Sequence, residues 1–203
     1  MMTMKRKTEL NLVVGVNGTG KTTFLEKEVL SKYKKALVLT PDNSEWKTLP
    51  VVRADELKFF NGIGKMIYTG PEILTTISRR FYGGALILDD ALAYLNEQTP
   101  ATMQYIYIRR RQFGIDIYLV AHGLRQIPPK AFSFASWLIL FNTVENFSSR
   151  KKEIIPSLYD SIIESQQRIR NRVLNGEPYY KEYILIDSQI KSLYAKGKGE
   201  ANR

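Results

Sequence analysis

Short apolar segments alternate with amphipathic ones along most of the chain. The apolar segments are four to six residues long and are bounded by turn residues, which is typical of buried strands. They lie at 10–14, 36–40, 65–68, 85–88, 115–120 and 137–141. Helical spacing of apolar residues separates several of them, at 22–33, 71–82 and 101–113. This alternation predicts an α/β fold with a mostly parallel sheet flanked by helices on both faces.

The pattern changes after residue 148. Residues 156–173 predict a long polar helix with apolar residues along one side, and Asn175-Gly176 is a typical helix end. Residues 179–186 predict a late strand. With 203 residues in all, we expect one domain over 1–190 and a basic flexible tail over 191–203.

A complete G-x-x-x-x-G-K-[ST] motif follows the first predicted strand and opens the first predicted helix. Its glycines let the backbone wrap a triphosphate closely with N–H groups pointing inward. The expected nucleotide-binding residues are Gly15, Val16, Asn17, Gly18, Thr19, Gly20, Lys21, Thr22 and Thr23. Lys21 can reach the β- and γ-phosphates, and the Thr22 hydroxyl can ligate Mg²⁺. The motif therefore predicts a site for a nucleoside triphosphate with Mg²⁺.

Two carboxylates follow the predicted strand 85–88. In a nucleotide hydrolase Asp89 would hold Mg²⁺, and Asp90 would polarise the attacking water. The alternative is that Asp90, the residue before Ala91, caps a helix that begins there. The nearby phosphate-binding motif favours the catalytic interpretation.

Several polar residues beyond these carboxylates are candidates for the same site. His122 follows the strand 115–120 and could sense the γ-phosphate, although a structural role near a turn is also open. Asn142 holds the analogous position after the next strand and is a weaker candidate. Arg111, in the triplet 109–111, and Arg150 could act on the γ-phosphate of a neighbouring subunit. The triplet could equally be a solvated helix end.

Charge and composition narrow the class of partner. The chain carries 30 Lys and Arg against 20 Asp and Glu, a formal net charge of +10, which favours a polyanionic partner or a generally basic surface. Cysteine is absent, which excludes disulfides and thiolate metal sites. No apolar run approaches the roughly 18 residues of a membrane span. We therefore expect a protein of the cell interior without a transmembrane segment.

The segment 111–128 resembles the FtsK/HerA superfamily of DNA-pumping ATPases, in which R-x-x-G-I leads through a strand to a sensor residue and a proline-containing loop. Residues 137–150 resemble the next strand of that superfamily and a following arginine. Together with the phosphate loop and Asp89-Asp90, the resemblance covers most of 10–154. Within the superfamily, the chain is most similar to the genome-packaging ATPases of tailless icosahedral viruses with an internal membrane, of the archaeal turreted type.

The resemblance implies an additional-strand P-loop fold and a homo-oligomeric ring, pentameric or hexameric, around double-stranded DNA. It implies ATP-driven translocation of that DNA into a preformed capsid, inside the host cell or at the virion vertex, with capsid or internal-membrane proteins as further partners. It assigns Asp89 to Mg²⁺, Asp90 to water activation and His122 to the sensor. Arg150 or Arg111 would be the arginine acting in trans.

Two departures from the superfamily concern the hydrolysis step. The water-activating acid is commonly glutamate, and Asp90 is one methylene shorter. The sensor is often glutamine, whereas His122 can change its charge near neutral pH. The sequence leaves two other functions open: a P-loop kinase whose arginine triplet belongs to a lid, and an assembly or secretion factor switched by nucleotide.

Overall fold

The computed structural model describes residues 8–94, 101–145 and 156–186. Arg150 and the predicted tail, 191–203, lie outside these ranges. The strands are β1 (Leu10–Val14), β2 (Ala36–Thr40), β3 (Ile63–Ile67), β4 (Gly84–Leu88), β5 (Ile115–Ala121), β6 (Trp137–Leu140) and β7 (Glu182–Leu185). The α-helices are α1 (Lys21–Phe24), α2 (Pro71–Arg80), α3 (Ala101–Phe113), α4 (Pro129–Phe134) and α5 (Pro156–Leu174).

The seven strands form one sheet in the order β3-β2-β4-β5-β1-β6-β7. The first six strands run parallel, and β7 pairs antiparallel with β6. Strand β5 thus lies between β1 and β4. The register pairs Val14 with both Ala121 and Leu140, so β1, β5 and β6 end at the same level. The residues that follow these strands therefore meet at one edge of the sheet.

The central strands are buried on both faces, and their alternate side chains enter two hydrophobic clusters. Helices α2 to α5 supply the cluster on one face, with residues such as Leu74, Met103 and Ile162. Helix α1 and the helical turns that continue it to residue 32 cover the other face together with Trp46. The predicted arrangement with helices on both faces is confirmed, but the helices are divided unequally between the faces.

The first helix differs from its prediction in shape. It begins at Lys21 and is α-helical only to Phe24, then continues as a π-helical turn over Leu25–Val29 and a 3₁₀ turn over Leu30–Lys32. Its buried residues Phe24 and Val29 are five positions apart, as are Leu25 and Leu30. A π turn is wider than an α turn, with hydrogen bonds from i to i+5, and residues five apart therefore stay on one side; all four side chains pack against the sheet.

Two other elements differ from the sequence pattern. Helix α4 was not predicted; it begins at Pro129, where a proline is favoured because the first helical N–H has no partner. The late strand is shorter than expected, since 179–181 lie outside β7, which begins at Glu182. Among the described residues, no helix is both long enough and apolar enough to span a membrane.

Candidate functional site

The loop between β1 and α1 is fixed to the ends of two neighbouring strands. The Gly15 N–H donates to the Ala121 carbonyl at 3.2 Å, and the Val16 N–H donates to the Asn142 carbonyl at 3.0 Å. Within the loop, the Thr19 hydroxyl donates to the Val16 carbonyl at 2.8 Å. These bonds hold the loop as a closed turn above the sheet edge.

Glycine is required at the start of this loop by close packing. A Cβ atom on Gly15 would lie 2.5 Å from Cβ of Phe141 and 2.9 Å from the Thr19 hydroxyl oxygen. Farther along, Gly18 and Gly20 have φ angles of +79° and +91°, which side chains disfavour. The glycine pattern of the motif thus reflects both contact distance and backbone conformation.

Lys21 lies beneath the loop, with only 9% of its surface exposed. Its Nζ donates to the Gly15 carbonyl at 2.6 Å and to the Val16 carbonyl at 3.0 Å. Burial lowers the pKa of Lys21, and the nearby carboxylates of Asp89, Asp90 and Glu45 oppose that shift. Lys21 therefore bonds directly to loop carbonyls and interacts electrostatically with three carboxylates nearby.

Asp89 is buried and held by an aromatic partner that the sequence did not indicate. The Trp46 indole N–H donates to Asp89 Oδ2 at 2.6 Å. Trp46 adopts a left-handed backbone with φ of +52°, which is uncommon for a bulky residue. The Tyr94 hydroxyl donates to the Leu39 carbonyl at 2.7 Å and contacts the Asp89 carbonyl. Tyr94 thus fixes the main chain of Asp89, and Trp46 fixes its side chain.

Asp90 stands at the N-cap position of the 3₁₀ turn Ala91–Ala93, but its side chain makes no capping hydrogen bond. Its backbone is left-handed, with φ of +54°. Asp90 Oδ1 instead lies 3.9 Å from Nε2 of His122, and both side chains are 40% exposed. The structure therefore does not support the capping interpretation of Asp90.

Three individual side-chain atoms at this edge are buried and have no hydrogen-bond partner in the described part of the chain, although the residues that carry them are only partly buried. They are Asp90 Oδ1, His122 Nδ1 and Asn142 Oδ1. The His122 main chain is held by its own N–H, which donates to Gln126 Oε1 at 2.8 Å. Buried polar atoms usually have a partner, so a polar ligand at this edge fits the side chains present.

Glu45 is a third carboxylate at the site that sequence reasoning missed. Burial and the neighbouring Asp89 carboxylate raise the pKa of Glu45. It lies in the loop after β2 next to Trp46, and no motif surrounds it. Its position became evident only because β2 and β4 are adjacent in the sheet.

A cavity of about 750 Å³ joins these groups. The predicted residues along its wall are Asn17, Gly18, Gly20, Lys21, Thr22, Thr23, Asp89, Asp90 and His122. Gly15, Val16 and Thr19 are not among the lining residues, and Gly15 and Thr19 are buried. Sequence reasoning did not select the other lining residues, which are Phe24, Lys27, Glu28, Pro41, Asp42, Glu45, Phe141, Tyr179 and Lys181.

The arginine triplet lies away from this cavity. Helix α3 leads directly into the first residue of β5, whereas the cavity lies beyond the last residue of that strand. Arg110 is buried and donates to the carbonyls of Tyr107 and Phe134 at 2.7 and 3.3 Å. Arg109 stacks on the Tyr105 and Phe113 rings, and Arg111 is exposed. The described residues thus do not bring Arg111 into the site of its own chain.

The order of the strands and the loop after β1 together define a P-loop NTPase fold of the additional-strand type. The additional strand is β5, between the phosphate-loop strand β1 and the carboxylate strand β4. The predicted fold class is confirmed.

Solved structures with this fold include the genome packaging NTPase B204 from Sulfolobus turreted icosahedral virus 2 in complex with ATP-gammaS. It aligns with a TM-score of 0.69 and 14% sequence identity over 90% of this chain and 94% of that one. B204 from Sulfolobus turreted icosahedral virus, described as a DNA-packaging ATPase, aligns with a TM-score of 0.65 and 16% identity over 89% and 94%. The resemblance predicted from the sequence is confirmed at the level of the fold.

The likeness to these structures is one of shape more than of sequence. No protein-family model matches the chain, and none of the curated proteins matches it.

Proposed function

We propose that this protein is an ATPase that translocates double-stranded DNA, as a ring-forming motor for viral genome packaging. The observation that carries the proposal is the convergence at one sheet edge of Lys21, Asp90 and His122, from the segments that follow β1, β4 and β5. A phosphate cradle, a water-activating acid and a sensor are the parts that nucleotide hydrolysis requires. The shared fold with packaging NTPases of similar length supports this choice.

The nucleotide in this proposal is ATP with Mg²⁺. B204 structures hold ATP-gammaS and AMP, which supports an adenine nucleotide on the same fold. Among the described residues there is no group of three or more His, Cys, Asp or Glu that could hold a metal ion. Mg²⁺ in nucleotide sites commonly takes one or two carboxylates, phosphate oxygens and water. Thr22 and Asp89 would supply the protein ligands.

Hydrolysis would proceed by attack of a water oxygen on the γ-phosphorus. The bond to the β,γ-bridging oxygen breaks, and ADP and inorganic phosphate leave. Asp90 receives the proton of the attacking water, and Lys21 offsets charge on the phosphate oxygens. His122, 3.9 Å from Asp90, is close enough to couple the position of the acid to the γ-phosphate.

The remaining parts of the proposal concern partners. A net charge of +10 supports a polyanion such as DNA. In a ring, Arg111 or Arg150 of one subunit would act on the nucleotide of the next. Arg111 is exposed at the edge opposite its own cavity, which suits an arginine offered to another subunit. Capsid or internal-membrane proteins would be further partners, in the host cell or at the virion vertex.

The kinase alternative loses its main support. It required the arginine triplet to close over the nucleotide, yet Arg110 is buried against α4 and Arg109 is stacked within α3. A kinase would still reveal itself by transferring phosphate from ATP to a nucleoside or its monophosphate.

The decisive experiment measures ATP hydrolysis by the purified full chain with and without double-stranded DNA, at low salt, with the oligomeric state from sedimentation. We expect an oligomer whose hydrolysis rate rises with DNA, and a Lys21→Ala control with neither hydrolysis nor stimulation. Hydrolysis unaffected by DNA, together with no DNA binding at low salt, would refute translocation. Copurification with a capsid or membrane protein would then favour a nucleotide-switched assembly factor.

A further inference from the structure

The cavity has two ends of different chemistry. Glu45, Asp89 and Asp90 make one end acidic. Phe141, Tyr179 and Lys181 line the part beside β6 and β7, together with Glu28, whose carboxylate pairs with Lys181. The phosphate loop lies between them.

The sheet order fixes which end receives which part of a nucleotide. Strand β4, which ends at the carboxylates, is two positions from β1 on one side, and β7 is two positions from β1 on the other. Carboxylates that hold the cation and activate water belong beside the γ-phosphate. The α-phosphate and the nucleoside must therefore extend from the loop toward β6 and β7.

Tyr179 lies at that end, in the turn between α5 and β7, with 66% of its surface exposed. Its ring packs against the phosphate loop: a Cβ atom on Gly20 would lie 3.0 Å from Tyr179 Cδ1 and 3.6 Å from Cγ. An aromatic ring that covers a phosphate-loop glycine and still presents most of its surface is available for a flat ligand.

The turn that carries Tyr179 is closed by a main-chain hydrogen bond and joined to the first helix by the residue two positions later. The Tyr180 N–H donates to the Glu177 carbonyl at 3.1 Å. Lys181 Nζ pairs with Glu28 of the first helix at 2.8 Å and lies 5.1 Å from the centre of the Phe24 ring. A turn fixed in this way keeps the main chain of Tyr179 beside the phosphate loop before a ligand arrives, which lowers the entropic cost of stacking.

We propose that Tyr179 is the platform on which the base of the bound nucleotide stacks. The inference rests on the proposed nucleotide site and adds the position of the nucleoside. The ligand class is a nucleoside triphosphate. Because stacking uses the π face that every base has, Tyr179 contributes affinity with little selection among bases.

The test compares ATP with inorganic tripolyphosphate, which has the phosphates but no base. Affinities of both, with Mg²⁺, are measured by calorimetry for wild type, Tyr179→Ala and Tyr179→Phe. We expect Tyr179→Ala to bind ATP about tenfold more weakly, in line with the affinity of base–aromatic stacking. Tripolyphosphate affinity stays at the wild-type value, and Tyr179→Phe restores ATP binding.

Tyr183→Ala is the matched control. Tyr183 is an exposed tyrosine on β7 that packs on Phe24, with ring centres 6.5 Å apart, and it is not among the lining residues of the cavity. Its removal should leave ATP affinity unchanged. Thermal unfolding of each variant verifies that the fold is retained.

Two results would overturn the proposal. Unchanged ATP affinity in Tyr179→Ala would remove the stacking role, and equal losses for ATP and tripolyphosphate would make Tyr179 a support of the phosphate loop. Failure of the proposed function is seen separately, as a wild-type protein that binds ATP but does not respond to DNA.

Discussion

The Trp46 indole donates a 2.6 Å hydrogen bond to Asp89 Oδ2, and this bond joins the loop after β2 to the carboxylate end of β4. Both residues are buried. The bond leaves the Asp89 carboxylate in one orientation beside the phosphate loop. In the proposed mechanism Trp46 is thus a positioning residue for the ligand of Mg²⁺.

Trp46→Phe should lower the free energy of unfolding by about 2 kcal/mol, because a buried hydrogen bond to a charged group is lost. It should also raise the Mg²⁺ concentration needed for half-maximal ATP hydrolysis. Denaturant unfolding and a Mg²⁺ titration of activity measure the two effects. Trp137→Phe, at the other tryptophan, is the control; equal shifts in Mg²⁺ dependence for both variants would contradict the positioning role.

Asp90→Asn should bind ATP with wild-type affinity and hydrolyse it at least 100-fold more slowly, since an amide cannot accept the proton of the attacking water. Asparagine tolerates the left-handed backbone at this position, so the fold should be retained. Single-turnover hydrolysis and nucleotide binding separate the two steps. Asp42→Asn, at an exposed carboxylate on the same cavity wall, should have little effect. A parental rate in Asp90→Asn would exclude Asp90 as the base.

Lys21 predicts a pH dependence of stability. Burial lowers the folded-state pKa below the unfolded value of 10.5, so between these two pKa values the unfolded chain binds more protons. The free energy of unfolding of wild type, relative to Lys21→Met, should therefore rise as the pH increases toward 10.5. Denaturant unfolding of both proteins between pH 7 and that value measures the slope. A difference that does not vary with pH would contradict the buried cation.

The arginine triplet predicts opposite results at adjacent positions. Arg110→Ala should destabilise the fold by about 2 kcal/mol, because the carbonyls of Tyr107 and Phe134 lose their donor. Arg111→Ala should change stability by less than about 0.5 kcal/mol. Thermal and denaturant unfolding test both variants.

An arginine that acts in trans predicts complementation between inactive subunits. Mixing Lys21→Ala subunits with Arg111→Ala or Arg150→Ala subunits should restore part of the ATP hydrolysis, because some interfaces regain a complete site. The hydrolysis rate as a function of mixing ratio measures this recovery. No recovery with either arginine variant would argue against a shared site.

The phosphate loop and the carboxylate pair could be predicted from the sequence because their chemistry is local. The glycine and lysine positions follow from the need for close backbone approach, and an apolar strand that ends in Asp89-Asp90 is visible in the chain itself. The role of Asp90 was ambiguous at that level. In the structure the Asp90 side chain makes no capping hydrogen bond and lies near His122, which favours a role for Asp90 in the site.

The rest of the site could not be predicted because it depends on strand order. Glu45 lines the cavity and Trp46 bonds to Asp89 because β2 lies beside β4. Tyr179 lines the cavity because β7 returns antiparallel along β6. The arginine triplet also depends on tertiary structure, because successive residues of a helix face different surroundings. Arg109 stacks on aromatic rings, Arg110 is buried and Arg111 is exposed.

The sequence by itself thus determined the class of fold and the phosphate-binding loop, since hydrophobic period and backbone freedom are properties of neighbouring residues. The tertiary structure decided which loops meet at the cavity and which end of it is acidic or aromatic. The physical reason is that the carboxyl ends of parallel strands all lie at one edge of the sheet, whereas the order of those strands cannot be predicted from the local hydrophobic pattern.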